Sequence, residues 1–175
     1  DEVSSVTITN TYTQQKGKLT VAKALGTGAP DAAKEIEYDF TVTGPGNYSE
    51  GFKLKAGESK TLEDLVPGTY TVTENKTGAA IDGFDLEVTG DGEVTVEANA
   101  TAEATVTNTY KQQLGSLKVT KALGTGAPDG ANNTEYEFTV TGPNNYSDSF
   151  KLKAGEYKLI EDLVPGKYTV TENKA

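Results

Sequence analysis

Residues 19–25 read LTVAKAL, and this stretch carries the alternation of side chains on which the fold prediction rests. Side chains alternate faces along an extended strand, so Lys23 shares a face with Leu19 and Val21. Similar runs of Val, Thr and Tyr recur along the chain, with Gly, Pro or Asn between them. Short alternating strands with turn residues every eight to twelve positions are typical of a β-sandwich. The sequence therefore predicts an all-β fold of β-sandwich domains.

The turn signals divide the first part of the chain into eight predicted strands. GTGAPDAAKE, residues 26–35, reads as a loop or a short helical turn. TGDGEV, residues 89–94, is interpreted as a two-residue hairpin turn because it lacks the ligand series of a calcium loop. The predicted strands are 18–25, 37–44, 48–55, 59–64, 69–75, 83–89, 92–98 and 103–110.

The chain contains a repeat with an offset of 98 residues. KALGTGAPD at 23–31 returns at 121–129, and YTVTENK at 70–76 returns at 168–174. The repeat phase predicts a complete domain over 17–110 and a truncated one over 115–175, with QQKG and KQQLG as short linkers. VTITNTYTQQKG at 6–17 matches ATVTNTYKQQLG at 104–115, so residues 1–13 are interpreted as the last strand of a preceding repeat.

Composition excludes several kinds of chemistry. The 175 residues include no Cys, His, Met or Trp, which removes disulfides, thiol catalysis and imidazole acid–base catalysis. A zinc site would need carboxylates alone, and we predict no metal and no cofactor. The net charge of −10 argues against nucleic acid and anionic membranes as partners. Nothing resembles a site for a multiple-turnover enzyme.

Three polar residues lie on predicted apolar faces. Lys23 is in the row of Leu19 and Val21, Glu74 follows the parity of Tyr70 and Val72, and Asn108 follows that of Val106 and Tyr110. Burying a lone charge is costly, so these side chains are expected to meet. A desolvated lysine can become a neutral amine nucleophile, and a buried carboxyl can move protons while the amine attacks the Asn carboxamide. Alternatively, Lys23 reaches solvent at a sheet edge, Glu74 pairs with it, and Asn108 is a turn residue.

The same residues carry a family resemblance. LTVAKAL, then GTYTVTEN and DGF, then VTNTY resemble the collagen-adhesin B-type (Cna B-type, SpaA-like) domains of Gram-positive surface proteins and pilins. The resemblance covers residues 17–110 fully and the segment 115–175 as far as Glu172. One difference is Phe84, where the family usually has Tyr. The resemblance implies tandem Ig-like/prealbumin-like β-sandwich domains and a Lys–Asn isopeptide bond. Carried over by position, the bond joins Lys23 to Asn108 with Glu74 assisting.

The resemblance predicts a structural stalk repeat of a bacterial surface adhesin or pilus-like fibre, located outside the cell and anchored through regions not in this chain. The predicted partners are neighbouring repeats, or copies of the chain arranged head to tail. In the second case Asn10 of one chain meets Lys121 and Glu172 of another. An array with experimental boundaries, or an engineered ligation pair, also fits the sequence.

A second class of function is ligand binding. Tyr48 and Tyr146, predicted on exposed loops, could contact a host protein or carbohydrate.

Overall fold

A computed structural model describes residues 2–173 as two compact units. The first contains 2–81 and 86–111, and the second contains 82–85 and 112–173. Asp1, Lys174 and Ala175 lie outside the described residues, as do the parts of the predicted segments 1–13 and 115–175 that fall on them. The division into one complete and one truncated domain stays a prediction.

The first repeat is a sandwich of two four-stranded sheets, which confirms the predicted all-β class. One sheet has the strand order β4-β1-β8-β6 and the other has the order β3-β2-β5-β7. Each observed strand overlaps one of the eight predicted ranges. The strands are β1 (Gly17–Leu25), β2 (Tyr38–Gly44), β3 (Tyr48–Leu54), β4 (Ser59–Leu65), β5 (Gly68–Glu74), β6 (Phe84–Thr89), β7 (Gly92–Val96) and β8 (Thr101–Gln112).

The core of the sandwich is built by the inward-facing side chains of both sheets. Leu19 and Val21 of β1, Val42 of β2 and Val106 of β8 have no exposed surface, and Val72 of β5 is almost as buried. Burial of each such side chain stabilises the fold by roughly 1.5–3 kcal/mol. The alternation read from the sequence therefore identifies the core face of these strands correctly.

The first and last strands of this repeat are neighbours. β1 pairs with β8 in parallel, with Lys23 opposite Val106 and Leu25 opposite Asn108. Because the pairing is parallel, the start of β1 at Gly17 and the end of β8 lie at opposite ends of the sheet. Asn108 lies two residues beyond Val106, so it points to the same face as Lys23.

The interpretation of TGDGEV as a hairpin turn is wrong. β6 ends at Thr89 and β7 begins at Gly92, but the two strands belong to different sheets, so the turn carries the chain across the sandwich. Gly90 has φ 80°, and a Cβ built on it would clash with the Thr105 carbonyl oxygen. Only glycine fits there, because the crossing chain packs directly against β8.

Two short α-helices interrupt the strands in the described part of the first repeat. α1 (Asp31–Glu35) falls in the predicted loop or helical turn. α2 (Lys76–Ala79) was not predicted, and it begins where the Asn75 side chain accepts a hydrogen bond from the Thr77 backbone N–H at 3.2 Å. Asn at this position is a common N-cap because its oxygen satisfies a free helical N–H group.

One predicted linker is partly ordered as strand. β8 continues to Gln112, and the Gln113 Nε2 donates to Asp85 Oδ1 at 2.6 Å. The predicted linker KQQLG is thus partly strand, and both of its glutamine side chains donate hydrogen bonds.

The second repeat has two smaller sheets, with the orders β11-β10-β13 and β12-β9. Val119, Phe138 and Val140 are among the buried residues of its core. Within residues 2–173, β9 pairs with β12 alone, so one edge of β9 has no strand beside it. The strands are β9 (Gly115–Thr120), β10 (Tyr136–Gly142), β11 (Tyr146–Leu152), β12 (Tyr157–Leu163) and β13 (Thr169–Asn173).

The segment before β1 has no regular secondary structure between residues 2 and 16. Its apolar side chains Val3, Val6, Ile8 and Tyr12 are 85–93% exposed. The interpretation of 1–13 as the last strand of a preceding repeat therefore stays a prediction. No helix in the described part of the chain is long and apolar enough to cross a membrane.

Candidate functional site

Three polar side chains lie inside the first sandwich. Lys23 and Glu74 are each 2% exposed and Asn108 is fully buried, and they are the buried polar residues found among 2–173. They come from β1, β5 and β8, so both sheets contribute to the cluster. By contrast Lys53 and Lys55, which have the opposite parity to Leu54, are exposed.

The Lys23 amine is held by two carbonyls and a carboxylate. Its Nζ donates to the Ala24 oxygen at 3.0 Å and to the Val106 oxygen at 3.2 Å. It also lies 3.2 Å from Glu74 Oε2, close enough for an ion pair but without hydrogen-bond geometry. Lys23 therefore does not reach solvent at the sheet edge, because its whole side chain is enclosed.

Asn108 contacts the other oxygen of the same carboxylate. Its Nδ2 donates to Glu74 Oε1 at 2.5 Å. The amide nitrogen of Asn108, rather than its oxygen, therefore faces Glu74. Asn108 Oδ1 and Glu74 Oε2 are buried and accept no hydrogen bond. An unsatisfied buried acceptor costs roughly 1–3 kcal/mol, and this cost applies most directly to Asn108 Oδ1, because Glu74 Oε2 lies 3.2 Å from the Lys23 amine.

Burial also changes the acid–base properties of the amine. Desolvation lowers the pKa of Lys23, because the dry interior disfavours the ammonium ion. The neighbouring Glu74 carboxylate offsets part of this effect, because it stabilises the charged form. A lowered pKa makes the neutral, nucleophilic amine more accessible near neutral pH.

This arrangement can move protons between two nitrogen atoms. One oxygen of Glu74 faces the Lys23 amine and the other faces the Asn108 amide nitrogen. A carboxylate in this position can take a proton from the amine and deliver a proton to the amide nitrogen. These two proton transfers are the ones needed to exchange the amide nitrogen of Asn108 for the nitrogen of Lys23, with release of ammonia.

Two tyrosines that sequence reasoning did not assign to the site surround it. The Tyr38 ring lies below the Lys23 amine, with its centroid 4.4 Å from Nζ. Tyr38 OH donates to the Ala33 oxygen at 2.8 Å, and burial raises the pKa of this hydroxyl. Tyr110 OH donates to the Ala79 oxygen at 2.7 Å. Tyr38 could have been found from its parity, because it shares a face of β2 with Phe40.

The second repeat contains part of the same site. Lys121 Nζ lies 2.9 Å from Glu172 Oε2, and the side chains are 11% and 40% exposed. No asparagine joins this pair within the described residues of the second unit. Asn10, the predicted partner, lies on the exposed segment before β1. The pair therefore has the same residues as Lys23 and Glu74 but is less desolvated.

The two tyrosines suggested as ligand contacts are not on exposed loops, so the prediction of their location is wrong. Tyr48 begins β3 and is half-buried, and its ring packs edge-on against Tyr70 with centroids 5.5 Å apart. Tyr146 makes the corresponding contact with Tyr168 at 5.7 Å. Their rings belong to the packing of the sandwich ends. Within the described residues, no group of three acidic side chains could hold a metal ion.

Fold and cluster together define a tandem β-sandwich module with a buried amine–carboxyl–carboxamide site. The family described as a domain of unknown function (DUF5979) matches residues 19–111 and 117–175, so the chain belongs to this family. No curated protein matches the chain.

Several solved bacterial proteins are similar to the chain. An adhesin from Mobiluncus mulieris, described as containing intramolecular disulfide, isopeptide and ester bond cross-links, is 30% identical over 55% of this chain and 42% of its own, with a TM-score of 0.43. The Bacillus anthracis TIE protein is 22% identical over 91% of this chain and 31% of its own, with a TM-score of 0.45. The minor pilin GBS52 of Streptococcus agalactiae is 14% identical over 63% of this chain and 49% of its own, with a TM-score of 0.42. Each match spans less than half of the similar protein.

Proposed function

We propose that this chain is a structural stalk segment of a bacterial cell-surface adhesin or pilus-like fibre. Its complete repeat is stabilised by an isopeptide bond that forms between Lys23 and Asn108 without an external enzyme. The observation that carries the proposal is the position of Glu74, whose two buried oxygens face the amine and the carboxamide. The protein acts outside the cell and is anchored through regions beyond this chain.

The proposed reaction balances within the three side chains. Glu74 takes one proton from the Lys23 ammonium, and the neutral amine attacks Cγ of Asn108. The bond between Cγ and Nδ2 breaks, and a second proton from the lysine nitrogen passes through the carboxyl to the leaving nitrogen, which departs as ammonia. The products are a neutral amide and a protonated Glu74, so the two buried charges disappear. The Lys23 amine and the Asn108 amide nitrogen contact the same buried carboxylate, and this supports the proximity that such a single-turnover step needs.

The strand arrangement supports a load-bearing role for this bond. Tension along the chain enters the repeat at Gly17 and leaves at the end of β8, at the opposite end of the same pair of parallel strands. A bond from Lys23 to Asn108 would pass the tension directly from β1 to β8. The chain between these residues would then carry no load, and the sandwich would stay folded under a pull that separates its ends.

Mass spectrometry tests the proposed bond. We expect the intact wild-type chain to weigh one ammonia less than its sequence requires, and a digest to contain one peptide in which Lys23 and Asn108 are joined. Glu74→Gln should retain the ammonia, because the amide of Gln cannot shuttle the protons. The matched control is Glu93→Gln, which changes an exposed carboxylate on β7 and should still lose ammonia. A wild-type chain of full mass would disprove the bond.

A second candidate function is head-to-tail assembly of the chain. The observation that favours it is the exposed segment 2–13, whose sequence matches that of β8, together with the unpaired edge of β9. We propose that this segment of one chain lies beside β9 of another, as β8 lies beside β1. Asn10 would then form the amide with Lys121, and Glu172 would move the protons. The donated strand covers this edge of β9 and does not replace the counterparts of β6 and β7.

Denaturing gels of concentrated protein test this assembly. We expect a concentration-dependent ladder of covalent multimers, because each bond joins two chains. Asn10→Ala should abolish the ladder, whereas Asn108→Ala should keep it, since that residue serves only the bond within the first repeat. A single monomeric band at every concentration would end this proposal and leave the stalk proposal unaffected.

A further inference from the structure

Tyr38 contacts both the Lys23 amine and the strand that carries Asn108. Its ring centroid lies 4.4 Å from Nζ of Lys23, within the range in which an aromatic face attracts an ammonium ion. Its hydroxyl oxygen lies 3.2 Å from that of Tyr110. Tyr110 is two residues beyond Asn108 on β8 and shares its buried face. One side chain therefore touches the amine and the strand that carries the carboxamide.

The Tyr38 ring is held at its far end. Its hydroxyl donates to the Ala33 oxygen in α1 at 2.8 Å, and Ala33 is itself fully buried. The equivalent bond in the second repeat runs from Tyr136 OH to the Ala131 oxygen at 3.2 Å. A ring fixed at its backbone and at its hydroxyl has little freedom to swing. The ring therefore keeps a fixed position next to the Lys23 amine.

The second repeat shows which of these contacts need the last strand. Lys121 Nζ lies 4.0 Å from the Tyr136 ring centroid, although no strand in the described part of the chain lies beside that edge of β9. The ring–amine contact thus forms without a neighbouring asparagine. The enclosure does not form, since the Lys121 side chain keeps 11% of its surface exposed and that of Lys23 keeps none.

We infer that Tyr38 is a positioning residue for the bond between Lys23 and Asn108. This inference rests on the proposed function. The ring holds the lysine nitrogen in place before β8 closes the sandwich, and it continues to do so after the proton has moved to Glu74. The ammonium form is attracted by the ring quadrupole, and the neutral amine still directs an N–H at the ring face. Closure by β8 then brings up Asn108, aligned through Tyr110.

Tyr136 has the same role for Lys121 in this scheme. The amine half of each site is prebuilt on the ring, and the strand carrying asparagine completes it. The order matters because the reaction starts only when the last strand excludes water from the amine.

Rates of ammonia loss test the inference when chains that have been kept in denaturant since synthesis, and so carry no bond yet, are diluted into folding conditions. We expect Tyr38→Leu to react at least about tenfold more slowly, because the amine loses its fixed position. Tyr38→Phe should react at a rate between those of the wild type and Tyr38→Leu, because the ring remains below the amine but its hydroxyl contacts with Ala33 and Tyr110 are lost. Tyr70→Leu is the matched control, since it removes an equally buried tyrosine that is not below the amine. It should destabilise the sandwich without slowing the reaction of folded molecules.

A second measurement does not depend on the bond. In an Asn108→Ala background, the side-chain protons of Lys23 next to Nζ should show an upfield NMR shift from the Tyr38 ring current, and Tyr38→Leu should remove it. A Leu variant that reacts as fast as wild type, or a Phe variant as slow as Leu, would overturn the inference. A wild-type chain that keeps its ammonia but shows the ring-current shift would refute the proposed bond and the positioning role while confirming the contact.

Discussion

Asn108→Ala should lower the melting temperature of the first repeat by about 20–30 °C. Closing a loop from residue 23 to residue 108 stabilises a fold by roughly 4–5 kcal/mol if an isopeptide bond acts on the unfolded chain as a disulfide does. For a domain of this size each kcal/mol corresponds to about 4–8 °C. Differential scanning calorimetry of the wild type and the variant measures the change, and the second repeat, identical in both, serves as an internal reference.

The fall in melting temperature caused by the missing bond must be separated from the fall caused by the packing contacts of Asn108 that alanine also removes. Glu74→Gln keeps the Asn108 side chain but should not form the bond, so its melting temperature should fall by a similar amount. If Asn108→Ala melts within a few degrees of the wild type, or if Glu74→Gln retains wild-type stability, the cross-link does not provide the stability assigned to it.

Pulling on single molecules should give the second large effect. In the wild type, tension passes from Lys23 to Asn108 through the proposed bond, so residues 24–107 should never extend. In Asn108→Ala the same residues should unravel and lengthen the chain by roughly 280–300 Å, given about 3.3–3.6 Å for each extended residue. Force spectroscopy with handles attached before β1 and after β8 measures this step.

Lys53→Ala is a suitable control for the pulling experiment, because Lys53 is exposed and lies away from the cluster. It should behave like the wild type and show no long extension. A wild-type chain that extends as far as Asn108→Ala would show that no covalent connection carries the load. The repeat would then be a rod element held by ordinary packing alone.

Much of the fold could be predicted from local pattern. A strand places successive side chains on opposite faces, so the parity of Lys23 with Leu19 and Val21 was enough to predict its burial. The same rule correctly separated Lys53 from the core, because it alternates with Leu54. The hairpin at residues 89–94 was predicted wrongly, because two strands joined by a tight turn can belong to either the same sheet or different sheets.

The sequence alone determined, through parity, which strand faces are apolar and which three polar residues share those faces. Only the tertiary structure decided that β1 and β8 are parallel neighbours, that Glu74 faces the amide nitrogen of Asn108, and that Tyr38 lies below the amine. The physical reason is that alternation is a property of one extended strand, whereas distances between side chains depend on how separate strands pair and pack. The alternation can therefore be read directly from the sequence, whereas the distances between side chains on different strands are known only once the chain has folded.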